Sequence, residues 1–239
     1  MGIRGDLLLF GDGSSVLALD KTCGRERWRA GRGPSHVTHA TPLVITSYGG
    51  DQLISAAGDV VQGSDPLTGT LFWSLPSPGA GSMPSVVLGG GLVFVASDFG
   101  QPTLRAVRGG GRDGSPALVV WEVRQAVPRV PSVLYLDGRL YTVTESGVAQ
   151  CLDAQTGRAL WQERLPGSYT ASPVAAGGRV YFLNDAGECV VVAAADTCRV
   201  LARNPLNEPC RASMAGAEGR WFIRTNGHLY CISPPMGGR

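Results

Sequence analysis

The residues best suited to chemistry are two histidines in one short segment. His36 and His39 lie three positions apart in GPSHVTHATP, and neutral imidazole is a common ligand of zinc and other transition metals. A metal site needs three or four protein ligands, and the third histidine, His228, lies far along the chain. The pair alone therefore favours solvated or capping side chains on a loop, and we expect no metal site.

The cysteines and carboxylates form no recognisable catalytic pattern. None of the six cysteines is adjacent to another or part of a Cys-x-x-Cys pair, which disfavours a redox dithiol, a zinc site and a haem attachment. Cys189 and Cys198 flank one predicted hairpin, so a disulfide between them stays open as an alternative to two free thiols. No Gly-x-Ser-x-Gly motif occurs and no two carboxylates share an evident face. We predict no catalytic residues.

The overall composition favours short strands joined by turns. The 239 residues include 34 Gly and 16 Pro, whereas only 17% are charged and 44% are hydrophobic. This combination disfavours a coiled coil, a long-helix bundle and a disordered chain. The net charge is +2 without a block of basic residues, so nucleic-acid binding is not expected. Apolar runs are far shorter than the ~20 residues of a membrane span, and residues 1–25 carry no recognisable signal peptide.

The strongest pattern is a repeated hairpin motif. Asp, Gly and Trp recur at the spacing Asp-x3-Gly-x3-Trp in DKTCGRERW, DPLTGTLFW and DAQTGRALW. The aspartate begins the turn by accepting backbone N–H groups, the glycine supplies positive φ, and the tryptophan packs its large face against the next unit. The residues of this structural repeat motif are Asp20, Gly24, Trp28, Asp65, Gly69, Trp73, Asp153, Gly157 and Trp161.

The motif recurs in units of about 40 residues, a period typical of β-propeller blades. Within each unit, alternating apolar segments separated by Gly turns predict four antiparallel strands. We therefore predict an all-β fold, a single β-propeller domain over residues 1–239 with four complete and two partial blades. The first unit is expected to lack its first strand and the last unit its final strand. The predicted blades span approximately residues 5–30, 40–75, 84–124, 131–165, 171–204 and 211–233, with a tail over 234–239.

These repeats resemble the PQQ-like, quinoprotein-type β-propeller repeat. The likeness is carried by LALDKTCGRERW, GSDPLTGTLFW and CLDAQTGRALW, and by the SPV and GRVYF segments of the fifth unit. It extends over nearly the whole chain. Rings of this family have seven or eight blades, so the resemblance implies either a small ring that closes through its partial end units or, as the favoured interpretation, a fragment of a larger ring.

The resemblance implies two functional classes. Quinone-dependent dehydrogenases have vicinal cysteines, a calcium site and a catalytic Asp, whereas this sequence has no adjacent cysteines, and Asn184-Asp185 is better interpreted as an Asx turn. The other class is the non-catalytic, BamB-like branch of extracytoplasmic scaffolds that bind proteins. We therefore expect no cofactor, a protein partner, and a non-enzymatic scaffold that is periplasmic or otherwise extracytoplasmic. A quinone (PQQ)-dependent alcohol or sugar dehydrogenase, or its degenerate remnant, is the alternative, and a sugar-binding propeller is a third.

The register of the repeat predicts where a partner would bind. Loops between successive blades, together with turns between second and third strands, line one face of a propeller. That face would include the turns at Asp98, Glu145 and Asn184-Asp185, and it carries residue types that often anchor interfaces. The predicted binding-face residues are His36, His39, Met83, Phe99, Arg129, Tyr169 and Arg211.

Overall fold

The computed structural model describes residues 2–11, 13–32, 38–47, 49–98 and 100–233, so His36 and Phe99 lie outside the described residues. The regular secondary structure of these segments is β-strand. No helix in the described part of the chain has the length and apolar character needed to cross a membrane. The strands form six antiparallel sheets, in each of which neighbouring strands follow one another in chain order. We refer to these sheets as blades A to F.

Blades A to C occupy the first half of the chain. Blade A contains β1 (Gly2–Arg4), β2 (Leu7–Gly11), β3 (Ser15–Asp20) and β4 (Glu26–Gly31). Blade B contains β5 (Leu43–Ser47), β6 (Gly50–Ala56), β7 (Val60–Ser64) and β8 (Leu71–Pro76). Blade C contains β9 (Val87–Gly89), β10 (Leu92–Ser97), β11 (Thr103–Arg108) and β12 (Leu118–Val123).

Blades D to F follow with the same plan, except that the last has three strands. Blade D contains β13 (Leu134–Leu136), β14 (Arg139–Val143), β15 (Val148–Asp153) and β16 (Ala159–Arg164). Blade E contains β17 (Val174–Ala176), β18 (Arg179–Leu183), β19 (Glu188–Ala193) and β20 (Val200–Pro205). Blade F contains β21 (Ala215–Ala217), β22 (Arg220–Arg224) and β23 (Leu229–Ile232).

Blade A corrects one sequence-based expectation. Its first strand was expected to be missing, but Gly2–Arg4 pairs with Leu7–Leu9 across a turn in which Gly5 has φ +57°. The strand has only three residues, and it lacks the Ser/Thr-Pro-apolar or Pro-Ser-Val segment found at the first strands of blades B to E. The described residues therefore form five four-stranded blades and one three-stranded blade, instead of four complete and two partial ones.

The hairpins between third and fourth strands are built by the motif residues. In blade A, Asp20 Oδ1 accepts a hydrogen bond from the Thr22 amide at 2.9 Å. Hydrogen bonds from the Thr22 hydroxyl and amide stabilise the charged carboxylate and lower the pKa of Asp20 to about 2. The motif glycines then take positive φ, at +71° for Gly24, +77° for Gly69 and +72° for Gly157.

Every pairing of a third with a fourth strand contains a β-bulge at the same position. We refer to the third-strand residue just before the bulge as the bulge column. The column residues are Ala18, Gly63, Ala106, Cys151 and Val191. In blades A to D each of them pairs with a tryptophan, namely Trp28, Trp73, Trp121 and Trp161.

Five core clusters join the blades in sequence. Leu9 and Ala18 of blade A pack with Leu53 of blade B, and similar clusters join B to C, C to D, D to E and E to F. None of these clusters of described residues contains side chains of both blade A and blade F. The described chain is thus an arc of six blades held by five apolar interfaces.

The tryptophans lie across these interfaces. A Cβ atom added to Gly69 of blade B would come within 2.7 Å of the Trp28 ring of blade A. Trp121 of blade C lies against Gly157 of blade D in the same way, at 2.7 Å, and its Nε1 donates to Ala154 O at 3.0 Å. The motif glycine therefore shapes its own turn and also leaves room for the tryptophan of the preceding blade.

Candidate binding face

Loops between blades and turns between second and third strands come together on one side of the arc. The Asp98 amide donates to Gly81 O at 3.0 Å, and the Tyr169 amide donates to Glu145 O at 3.0 Å. As in the bond from Tyr169, the Cys210 amide of the next loop donates to Asp185 O at 3.0 Å. We refer to this side, formed by the inter-blade loops and the turns between second and third strands, as the loop face.

Glu145 fixes the loop between blades C and D. Its Oε1 accepts hydrogen bonds from the Arg129 amide at 2.7 Å and the Val130 amide at 2.6 Å. The Arg129 residue itself is exposed. The carboxylate therefore holds the backbone in place while the guanidinium remains accessible on the loop face.

Asp185 has the same role between blades D and E. It accepts the Thr170 amide at 2.9 Å and the Thr170 hydroxyl at 3.2 Å, together with the Ser168 hydroxyl at 3.1 Å. The adjacent Asn184 accepts the Glu188 amide through its side-chain oxygen at 2.8 Å. Asn184 therefore fixes the turn between the second and third strands of blade E, and Asp185 fixes the inter-blade loop that precedes this blade.

Asp98 is the unusual carboxylate of this face. It is 1% exposed, and its Oδ1 has no hydrogen-bond partner among the residues that the structure describes. Burial is the main cause that raises the pKa of Asp98, and the negative charge of Glu145 adds to it, whereas the positive charges of Arg129 and His39 oppose the shift. Residues from two blades, C and D, and from two inter-blade loops thus share one electrostatic environment at the loop face.

A groove of about 490 Å³ runs between blades C and D beside Arg129. Ala126 in its wall has φ +51°, and Gly167 and Asn207 take positive φ in the loops between the following blades, at +82° and +56°. The Arg124 side chain is 61% exposed while it pairs with Glu122 at 2.6 Å. The groove is lined by Pro102, Arg124, Ala126, Val127, Arg129, Thr144, Glu145 and Ser146.

The structure separates the predicted binding-face residues into three groups. His39, Arg129 and Arg211 are exposed and Met83 is half-buried, whereas His36 and Phe99 lie outside the described residues. The charges of His39 and Arg129 both act on Asp98. Arg124 and Val127 were missed because the repeat pattern locates turns and strands and does not show which loop side chains line a groove.

Tyr169 requires a correction. It was predicted as an exposed anchor, but it is 1% exposed and belongs to the core between blades D and E, beside Tyr141 and Trp161. Its amide donates to Glu145 O at the loop face, while its ring lies in the core. Burial raises the pKa of its hydroxyl.

The sequence left open whether Cys189 and Cys198 form a disulfide or remain two free thiols, and the structure decides between these. Cys189 and Cys198 are free thiols. Cys189 belongs to the core between blades E and F, whereas Cys198 packs against the core between D and E. Because the two thiols lie on opposite faces of blade E, they cannot form the disulfide that the sequence left open. Among the described residues, no group of three or more His, Cys, Asp or Glu is placed to hold a metal ion.

Fold and repeats together define the class of protein, an all-β propeller whose repeats resemble the PQQ-like unit. Residues 118–200, about a third of the chain, match the family model described as outer membrane protein assembly factor BamB. The match falls on blades C to E and confirms the resemblance that the sequence motifs carry. No curated protein sequence matches the chain significantly.

Two solved structures have the same fold. The chain is 15% identical to BamB from Moraxella catarrhalis, with a TM-score of 0.64, and the match covers 98% of this chain and 81% of that one. It is 11% identical to the quinohemoprotein alcohol dehydrogenase from Comamonas testosteroni, with a TM-score of 0.63. That match covers 84% of this chain and 41% of the dehydrogenase. At these identities the likeness establishes the fold alone.

Proposed function

We propose that this chain is a non-enzymatic, extracytoplasmic propeller that binds a protein partner through its loop face. The family match supports this proposal, because the description of the matched family is a membrane protein assembly factor. In this account residues 1–239 act as one domain, with 234–239 as its tail. The partner is a protein and not a nucleic acid, since the net charge is only +2.

The observation that carries the proposal is the use of the loop-face carboxylates. Glu145 accepts two backbone amides of the loop that carries Arg129, and Asp185 accepts amide and hydroxyl groups of the next loop. Side chains engaged in this way rigidify the loops. A rigid loop loses less conformational entropy when a partner binds, which is the advantage of a preorganised binding surface.

The charges of the groove between blades C and D indicate the chemistry of the partner. Arg129 is exposed and Arg124 is mostly exposed, and the pair of Arg124 with Glu122 is a surface ion pair that contributes at most about 1 kcal/mol. A carboxylate of a partner can therefore replace it at little cost. Val127 in the wall of the groove is buried and belongs to the core between blades C and D, so the groove offers a partner mainly its charged side chains. We expect the partner to present an acidic segment.

Affinity capture with charge-reversed variants tests this proposal. The wild-type chain, Arg129→Glu and Arg158→Glu would each be immobilised and exposed to extracts of envelope proteins. Arg158 is an exposed arginine in a hairpin turn at the opposite end of blade D, so it serves as a matched control. We expect a protein that is retained by the wild-type chain and by Arg158→Glu and is lost with Arg129→Glu.

The competing function is quinone-dependent dehydrogenation, since the chain also has the fold of a quinohemoprotein alcohol dehydrogenase. Reconstitution with PQQ and calcium, followed by reduction of a redox dye with an alcohol or a sugar, distinguishes it. Dye reduction that depends on PQQ would overturn the scaffold proposal. Retention of a partner that Arg129→Glu abolishes would support it.

A further inference from the structure

Asp98 of blade C and Asp185 of blade E occupy equivalent turns but use their carboxylates differently. The Asp98 amide donates to Gly81 O at 3.0 Å, as the Asp185 amide donates to Ser168 O at 2.8 Å. The Asp185 carboxylate accepts the amide and the hydroxyl of Thr170. The Asp98 side chain is 1% exposed, and its Oδ1 has no hydrogen-bond partner among the described residues. A carboxylate buried in this way is costly to ionise.

The loop that precedes blade C is bonded to groups other than the Asp98 carboxylate. Ser82 O accepts the His39 amide at 2.8 Å and the Thr38 hydroxyl at 3.0 Å. The Ser82 hydroxyl donates to Ala96 O on β10 at 2.9 Å. These bonds attach the loop to the loop before blade B and to its own blade, so the surroundings of Asp98 are fixed without a hydrogen bond to its Oδ1.

Three charged or titratable side chains act on Asp98 from neighbouring elements. Arg129 lies in the loop between blades C and D, Glu145 in a turn of blade D, and His39 in the loop between blades A and B. The loop between blades B and C and the rest of the Asp98 turn contain no charged residue. Burial is the main cause that raises the pKa of Asp98, and Glu145 adds to it, whereas Arg129 and His39 lower this pKa.

Arg129 connects Asp98 to the groove between blades C and D. Arg129 is exposed and lines this groove, and its charge is the strongest of the neighbouring charges that act on Asp98. A carboxylate of a partner bound at Arg129 would offset this positive charge and add a negative one. The ionised form of Asp98 would then be less favourable, because like charges repel. An acid bound in the groove and a proton bound at Asp98 therefore favour each other.

We propose that Asp98 is a proton-binding site that regulates the loop face. A proton taken from solvent by Asp98 strengthens the binding of an acidic segment at Arg129, and the bound segment in turn favours protonation of Asp98. This inference rests on the function proposed for the loop face, since it requires a partner with an acidic segment. Its distinct consequence is that binding takes up protons at Asp98.

Calorimetric titration with a hexaglutamate peptide measures this coupling. The full 239-residue protein would be titrated at low salt, where charge interactions are weakly screened, and between about pH 5 and 7, where most glutamates of the peptide are ionised. Two buffers with different enthalpies of ionisation give the number of protons taken up on binding. Asp98→Asn is the test variant. Asp137→Asn, at an exposed aspartate in the turn between β13 and β14 at the opposite end of blade D, removes the same charge as a control.

The wild-type chain and Asp137→Asn are expected to take up part of a proton on binding the peptide, and Asp98→Asn is expected to take up less. Near pH 7 the peptide should bind Asp98→Asn about threefold more tightly than Asp137→Asn, because one nearby negative charge is removed. This advantage should shrink as the pH falls. Equal proton uptake and equal affinity in both variants would overturn the coupling and leave the proposed function standing. No binding of the peptide by any of the three proteins would overturn both proposals.

Urea unfolding without the peptide tests Asp98 on its own. A carboxyl group whose pKa is raised by folding contributes stability that is present below its unfolded pKa and lost as the pH rises through its folded pKa. The stability of Asp98→Asn relative to the wild-type chain should therefore increase from about pH 4 to pH 7. Circular dichroism confirms folding, and Asp98→Ala, which adds no buried amide, is a second variant for the same comparison. A relative stability of both variants that is independent of pH would overturn the proposal.

Discussion

At the scale of single residues, each motif glycine serves its own hairpin and the neighbouring blade. Gly157 has φ +72°, and a Cβ atom there would lie 2.7 Å from the Trp121 ring of blade C. Gly24 has nearly the same φ, +71°, but apart from its own chain neighbours no atom of the described residues lies within 4 Å of a Cβ atom placed there. The pair thus separates the backbone requirement for glycine from the requirement for space.

Alanine substitutions at these two glycines are expected to differ in cost. Gly24→Ala should destabilise the protein by about 1 kcal/mol, because alanine is strained at positive φ. Gly157→Ala should cost about 1–3 kcal/mol more, because Trp121 must also move. Urea unfolding of both variants measures the difference in free energy. Equal losses of unfolding free energy in the two variants would show that the Trp121 ring can move aside without an energetic cost.

Glu208 gives a pH-dependent test of the link between blades E and F. Its carboxylate bonds to His228 Nδ1 at 2.8 Å, accepts the Thr225 hydroxyl at 2.8 Å and also accepts the Gly227 amide. The bond to His228 is the main cause, followed by that to Thr225, that lowers the pKa of Glu208 from 4.5 to about 2. A depressed pKa contributes stability that is fully present above the pKa of the unfolded chain.

We therefore expect Glu208→Gln to be less stable than the wild-type chain at pH 6, with a difference that shrinks as the pH falls from about 4.5 toward 2. Urea unfolding across this pH range measures the difference. Glu163→Gln, at an exposed position on β16, is the matched control and should show a smaller pH-dependent difference. A Glu208→Gln difference that is constant down to pH 2 would contradict the bonding described.

At the scale of elements, a Gly-rich insertion at residues 109–115, before the fourth strand of blade C, attaches this blade to blade B. Arg112 in the insertion lies over the Phe72 ring at 4.6 Å. It also donates to Asp51 O at 2.8 Å and pairs with Asp65 at 3.0 Å. Gln52 of blade B donates to Gly110 O at 3.0 Å from the buried side of the same segment. A segment that interrupts the repeat in sequence thus forms part of an inter-blade contact.

Removal of this contact should lower stability measurably. Arg112→Ala is expected to cost about 1–2 kcal/mol, from an exposed cation–π contact and a surface ion pair. Arg112→Lys should recover part of the loss because it keeps the charge. Arg108→Ala, at an exposed arginine on β11, is the control. Equal stability of Arg112→Ala and Arg108→Ala in urea unfolding would show that the insertion does not hold the blades together.

Elements with a local turn signal were predictable from the sequence, and contacts between distant segments were not. The Asp and Gly positions locate the hairpins between third and fourth strands, because turn chemistry is encoded within a few residues. The three-residue strand Gly2–Arg4 was missed because so short a strand carries no periodicity. Tyr169 was misplaced because register locates it in an inter-blade loop and does not show that its ring packs into the core between blades D and E.

At the scale of the whole molecule, the low charge fraction of 17% fits a stack of sheets. Blades B to E are covered by neighbours on both faces, so their middle strands are almost continuously buried, as in Leu92–Ser97 of blade C. Charged residues remain for outer strands, turns and loops. At the loop face some of these charged residues lie close together, and the charges of Arg129 and Glu145 both act on Asp98.

The central claim, that the loop face binds a protein partner, is tested most directly by hydrogen–deuterium exchange with and without the captured partner. We predict slower exchange of backbone amides in residues 124–130 and 144–146, which line the groove between blades C and D. The turn at residues 153–158, at the opposite end of blade D, should be unchanged. Protection confined to that turn, or no protection at the groove while the partner is bound, would contradict the account.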